Sequence, residues 1–319
     1  MKHPLSWSAM ALGIHALAIV ASFRTTQASA IESERRWEMA FGSALMSDYN
    51  FRGITASAHQ PSVAAYFEPR YKLDRDLELY VGLNATSVAL SNQSRIQMYY
   101  YTGIRPVFGR LSLDVGVAYV DYPGGTLYDG SSASNCTNGS FSLGSCNVSK
   151  ATASYWEPFG KASFAISDTF SLAGNIFYSP SWVNTGAPGT FVSVGAKIGL
   201  PSALLPTNVT ASISGEVGHY LFGTTDPFYA VPAFPAGVKL PDYTTWNVGL
   251  NFSRSPVSLD FRYYATNLSK ADCNVLTSDP TASFRGAAVT TLNPSGLSSN
   301  WCSATFIVSL SFDTTLKMK

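Results

Sequence analysis

The sequence predicts an all-β chain, a transmembrane antiparallel β-barrel of about twelve strands. Three observations carry that expectation. Residues alternate in segment after segment, as where Ala304, Phe306, Val308, Leu310 and Phe312 are interleaved with Thr305, Ile307, Ser309 and Ser311. Short turns alternate with mostly longer loops, and the charges inside the segments share one parity. Side chains of a strand point alternately to its two faces, so such a segment can meet lipid on one side and a polar interior on the other.

Residues 1–30 read as an export signal. Lys2 opens a short basic start, the run from Leu5 to Phe23 is apolar, and Ala28, Ser29 and Ala30 offer small residues for cleavage. Gly13, His15 and that cleavage site favour a signal over an N-terminal helical anchor. Residues 31–319 then form one outer-membrane barrel. Charged residues make up 13% of the chain and aromatics another 13%, against about 25% charged in a soluble domain. A net charge of +1 gives no reason to invoke nucleic acid.

Alternation places strands at 36–47, 62–71, 77–90, 95–107, 111–122, 154–166, 169–179, 191–200, 208–219, 245–253, 257–265 and 303–313. Lys72 to Asp76, Gly109-Arg110, Ser167-Asp168, Pro201 to Thr207 and Arg254 to Pro256 are the short connections, rich in turn residues. The connections between them are Asp48 to Pro61, Ser91 to Ser94, Pro123 to Ala153, Pro180 to Thr190, Tyr220 to Thr244 and Thr266 to Trp301. That asymmetry matches periplasmic turns and extracellular loops, with both termini in the periplasm.

If the apolar parity faces lipid, the interior receives Glu38, Glu68, Arg70, Glu78, Arg95, Arg105, Asp114, Glu157, Lys161, Lys197, Glu216, Asp260 and Arg262. A lipid-facing Lys or Arg at the midplane would cost about 2 to 4 kcal/mol, which gives the segregation a physical cause. A soluble β-sandwich also alternates, but it leaves the export signal, the loop asymmetry and the aromatic ending without a common explanation. Facing rows of acids and bases would set a transverse field across a water-filled constriction and favour dipolar solutes. The same charges, with Tyr80, Tyr99 and Tyr101, can instead fill and rigidify the barrel, and both readings stay open.

The loop from Pro123 to Ala153 is rich in Gly, Ser and Asn; solvated surface chain is the favoured reading over folding inward to narrow a pore. Four cysteines in an exported chain suggest disulfides with three pairings open. Local pairs, Cys136 with Cys146 and Cys273 with Cys302, are chosen because each joins sites in one loop. Their spacing lacks Cys-x-x-Cys and no His lies near them, so neither a metal site nor a cofactor is expected. His59 and His219 read as rim residues. Outer-membrane phospholipases are similar in size and strand number and carry a His followed closely by Ser and Asn on one strand. Gly218-His219-Tyr220-Leu221-Phe222-Gly223 lacks both, so no enzyme is expected.

Ser47-Asp48-Tyr49-Asn50-Phe51-Arg52-Gly53-Ile54 resembles the Ser-Asp-Tyr-x-Phe-Arg-Gly-Ile/Val segment of the TorF family, and Leu259 to Tyr264, followed by Cys273 and Cys302, looks like that family's C-terminal region. The resemblance implies a small outer-membrane barrel classed as a porin, with no defined substrate. The polar tail from Asp313 to Lys319, beyond Phe312, departs from the usual outer-membrane ending. Tyr49 and Phe51 are expected at the headgroup level, with Arg52 folded over the lumen toward Asp48 or an inward acid, as a filter or as a latch on the first loop.

The expected activity is passive diffusion of small hydrophilic solutes through a narrow channel, with Arg52, Glu68, Arg70, Arg95, Arg105, Asp114, Glu157, Lys161, Glu216, Asp260 and Arg262 lining it. A closed barrel with a structural or surface-interaction role is the second reading. Outer-membrane lipid and, during biogenesis, the barrel-assembly machinery are the expected partners; the sequence identifies no subunit interface.

Overall fold

Small or polar residues alternating with large apolar ones give each segment two unlike faces. In β1 (Trp37–Met46), Glu38, Ala40, Gly42, Ala44 and Met46 are buried inside, while Trp37 and Leu45 are exposed outside. A computed structural model describes residues 36–130, 147–231, 233–283 and 289–318. Among them twelve strands close one antiparallel barrel. After β1 come β2 (Ser62–Lys72), β3 (Leu77–Ser87), β4 (Ile96–Phe108), β5 (Leu111–Asp121), β6 (Tyr155–Ala165), β7 (Phe170–Ser179), β8 (Gly189–Gly199), β9 (Thr210–Phe222), β10 (Tyr243–Arg254), β11 (Val257–Thr266) and β12 (Thr305–Lys317). Each strand pairs with its chain neighbour, and β1 closes on β12 with Leu45 opposite Leu310 and Glu38 opposite Lys317. Closure leaves no open sheet edge, a requirement in a solvent that cannot hydrogen-bond.

The outer surface carries a band of Val81, Val115, Val194, Val217, Val248, Phe306 and Leu310, all exposed. A soluble protein rarely shows so large an apolar patch, whereas lipid covers it without cost. Aromatic pairs mark both rims: Trp37 and Tyr71 at the short-turn end, with ring centroids 4.9 Å apart, and Tyr119 and Trp156 at the long-loop end, 4.8 Å apart. Such rings favour the interface, where one edge is apolar and the other wet. A two-residue turn joins β4 to β5, and Gly109 supplies its left-handed φ of +61°. The barrel with this belt is a bacterial outer-membrane protein.

Strand boundaries shift in three informative places. β3 ends at Ser87, three residues before the expected end, and β9 continues to Phe222, so Tyr220 belongs to the barrel wall and not to a loop. The C-terminal tail does not follow the barrel. Asp313 to Lys317 form the end of β12, paired with Gly42 to Glu38. Near the periplasmic end the strand no longer needs an apolar face, so alternation fades before the hydrogen-bond ladder does.

The long-loop end carries structure of its own. Helix α1 (Lys270–Thr277) lies in the last loop, where Ser269 caps its start by accepting a hydrogen bond from the Asp272 amide at 3.1 Å. Cys273 in α1 is bonded to Cys302 just before β12, with Cα atoms 5.8 Å apart, as the local pairing expected. Cys136 and Cys146, like the export signal, lie outside the described residues. Replacing Cys273 and Cys302 by serine frees a loop closed across 29 residues, for which closure entropy is about 3 to 4 kcal/mol. The expected result of limited proteolysis is cutting within 268–301 while the barrel stays intact; a cut barrel or an uncut loop would contradict it.

Candidate functional site

The first loop turns into the barrel, and its own hydrogen bonds fold it there. Asn50 and Phe51 pair with Thr55 and Ile54 in a small hairpin, the Gly53 amide donates to Asn50 Oδ1 at 2.8 Å, and Arg52 and Gly53 take positive φ. A Cβ at Gly53 would lie 2.5 Å from both Thr245 Oγ1 and Thr266 Cγ2 on the inner wall, so only glycine allows this approach. At the loop base, Asp48 Oδ1 accepts from the hydroxyls of Thr55 at 2.5 Å and Ser57 at 2.8 Å. The chain thereby points Arg52 toward the barrel axis.

Arg52 enters a fully buried socket. Its guanidinium donates to both oxygens of Glu157 on β6, at 2.7 and 2.9 Å, and to the Tyr220 hydroxyl on β9 at 2.5 Å. Phe177 on β7 and Phe191 on β8 present ring faces at 4.3 and 4.8 Å, an arrangement that attracts a cation. The Tyr243 hydroxyl donates to the Arg52 carbonyl at 2.9 Å, fixing the backbone as well. The Arg52 and Glu157 side chains are 0% and 1% exposed. Around them, Tyr49, Tyr122, Tyr155, Tyr220 and Tyr243 are buried too, and Gln97 joins the Tyr49 and Tyr122 hydroxyls at 2.6 and 2.8 Å. Together these side chains form a septum across the lumen. Tyr49 lies inside the barrel and Phe51 packs by Arg52, so neither sits at the headgroup level.

Below the septum, toward the short-turn end, the charges gather in two groups on the wall. Glu68 accepts from Arg105 at 2.8 and 3.1 Å and from Arg70 at 2.5 Å, while Arg105 also reaches Glu78 at 3.0 Å and lies 3.6 Å above the Tyr80 ring. Tyr80 donates to Asp114, and Lys161 stands 3.8 Å from the same carboxylate. Glu38 pairs with Lys72 near the periplasmic rim. In the second group, Arg262 bonds Asp260 at 3.1 Å, Asn247 at 2.7 Å and Ser214 at 2.9 Å, and Asn175 and Asn247 donate to Glu216. The acids and bases are therefore neighbours within each group, not facing rows across a gap. Lys161 is 41% exposed and Arg105 25% exposed. Below the septum Lys161 and Arg105 are thus partly accessible to solvent, whereas Arg52 is not.

Of the expected lining residues, Glu68, Arg70, Arg105, Asp114 and Lys161 share the first group and Glu216, Asp260 and Arg262 the second, while Arg52 and Glu157 meet in the septum. Arg95 does not join them: it is exposed just before β4 begins at Ile96. Asp48 is not the partner of Arg52. It pairs with His59 Nδ1 at 2.9 Å, and His59 Nε2 contacts the Asn300 carbonyl at 3.0 Å, tying the first loop to the last. Sequence reasoning did not identify the socket of Phe177, Phe191, Tyr220 and Tyr243. Its signal was present in the continued alternation of Gly218, Tyr220 and Phe222.

Hydrogen bonding to Asp48 raises the His59 pKa against the effect of burial. Burial pushes the Asp48 carboxyl up, but hydrogen bonds from His59, Thr55 and Ser57 outweigh it and hold the pKa below its usual value. A raised histidine pKa contributes stability fully below the unfolded value and loses it as pH rises through the folded one. A lowered carboxylate pKa contributes above its unfolded value and loses it as pH falls through the folded one. The contact is therefore strongest between the two folded midpoints. An NMR titration of the His59 ring is expected to show a midpoint above the ordinary value of about 6.5; a midpoint at or below it would contradict the contact.

Several solved outer-membrane proteins are similar to the chain at low identity. OmpT, an outer-membrane protein of Vibrio cholerae, is 9% identical, with 90% of this chain and 100% of that one covered and a TM-score of 0.34. The NanC porin is 7% identical over 86% and 98%, with a TM-score of 0.39, and LpxR from Salmonella typhimurium is 8% identical over 86% and 99%, with a TM-score of 0.38. No curated protein matches the chain in sequence. A family pattern does match residues 30–220, and by it the chain belongs to the family described as "Bacterial protein of unknown function (Gcw_chp)".

Proposed function

We propose that the protein is a porin-like channel for small hydrophilic solutes, held shut by its first loop in this conformation. The observation that carries the reading is the makeup of the septum: the group at its centre, Arg52, belongs to a loop and not to a barrel strand. A loop can leave the lumen without breaking the strand ladder, and a path past the charged, partly solvent-accessible wall below would then continue upward. The likeness of Ser47 to Ile54 to the TorF family, classed as porins, supports the same reading. Selectivity would come from Arg105, Glu68, Asp114 and Lys161 on one side and Arg262, Asp260 and Glu216 on the other, favouring solutes that carry both charges or neither. No enzymatic step is proposed.

The full burial of Arg52 and Glu157 favours a second reading, a permanently closed barrel with a structural or surface role. Liposome swelling with glycine, arabinose and sucrose separates the two. Slow entry of glycine and arabinose through the wild type, faster entry through Arg52→Ala/Glu157→Ala, and exclusion of sucrose are expected of the channel. Correctly folded, heat-modifiable barrels that admit none of the three, with or without the pair, would leave the closed barrel.

A further inference from the structure

Above the septum, and independent of any transport through it, the extracellular loops surround a partly open cavity of about 180 Å³. Phe51 and Ile54 come from the first loop, Leu90 from the connection after β3, Trp182 from the connection after β7, Leu276 from α1 and Trp301 from the approach to β12. Protein interiors seldom keep voids larger than a water molecule, and a dry apolar cavity of about 150 Å³ is enough to hold benzene. Five segments thus converge on a space the size of one small ring compound.

The chemistry of the wall narrows the class of occupant. Among the described residues that line it there is no Asp, Glu, Lys, Arg or His. This neutrality contrasts with the charged wall below the septum. An ion entering here would give up part of its hydration and meet no opposite charge among the described lining residues. The polar part of the wall is made of amides and hydroxyls held in place: Asn147 and Asn274 exchange hydrogen bonds at 2.7 and 2.9 Å, and Asn274 donates to Asn293 at 3.1 Å. The Cys273–Cys302 bond ties α1 to the segment carrying Trp301, so two of the walls are preformed. We infer that this cavity is a binding site for a small uncharged molecule with an apolar ring and one hydroxyl or amide group.

The test uses the refolded full chain in detergent and fluorine NMR of para-fluorophenol, neutral at pH 7, with para-fluorobenzoate as the charged comparison. Saturable line broadening by para-fluorophenol is expected, with the benzoate bound about tenfold more weakly or not at all. Leu276→Trp and, at Ala230, which lines the cavity from the connection after β9, Ala230→Phe place new bulk in the cavity from two different loops, and each is expected to weaken phenol binding about tenfold or more. Because partition into the micelle is the same for all variants, it does not mimic that loss. Equal binding by the wild type and a folded cavity-filling variant, benzoate binding as tight as phenol binding, or no saturable binding would each overturn the inference.

Discussion

Arg52→Ala is expected to release the first loop from the lumen. The substitution leaves the Glu157 carboxylate 1% exposed and without its bidentate partner, and breaking a buried ion pair from one side costs about 3 to 5 kcal/mol. The penalty has a ceiling. Once docking the loop becomes unfavourable, the hairpin swings out, water rehydrates Glu157, and the barrel ladder is untouched. The readout is therefore local: amide hydrogen exchange across 48–57 should rise by orders of magnitude while β1 and β2 keep their protection. Arg52→Met/Glu157→Leu, which removes both charges and retains bulk, should lose much less than the two single changes added together. Unchanged exchange in Arg52→Ala would mean that the hairpin is held by its backbone contacts and not by the ion pair.

Val194→Arg is expected to show the next largest effect, on the opposite face of the wall. Val194 lies midway along β8, opposite Gly174 on β7 and Val217 on β9, and is 61% exposed to what is lipid in the membrane. An arginine there should reduce stability by about 2 to 4 kcal/mol in denaturant titrations from lipid vesicles, while Val194→Leu changes little. Lysine at the adjacent Ser193 points inward, beside the Asn175 amide that bonds Glu216, and should escape that penalty. Equal losses at 193 and 194 would contradict the assignment of lumen and lipid faces.

These two cases also show where the sequence was legible and where it was not. The cost of a charge in lipid acts on every strand, so it writes a period of two into the chain, and the twelve strands and their facing follow from it. Cys273 and Cys302 were readable as a pair because they bracket one loop. The end of β12 was not, because Asp313 to Lys317 approach the periplasmic rim, where the physical pressure for alternation disappears. Helix α1 is too short for a periodic signal, and its cue was the Ser269-x-x-Asp272 cap. The Arg52 socket draws on Glu157, Phe177, Phe191 and Tyr220, up to 168 residues away. Sequence could mark Arg52 as a residue seeking an acid, but only closure of the barrel decides that Glu157 comes within reach and Asp48 turns to His59.

The central claim is that a loop-borne septum closes a lumen otherwise fit to conduct, and single-channel current across a planar bilayer tests it most directly. Wild type should be silent or open briefly and rarely, whereas Arg52→Ala/Glu157→Ala should give long discrete conductance steps whose ion preference shifts when Arg105→Ala is added. Variants that insert as folded barrels and pass no current, or a wild type as open as the double variant, would contradict it.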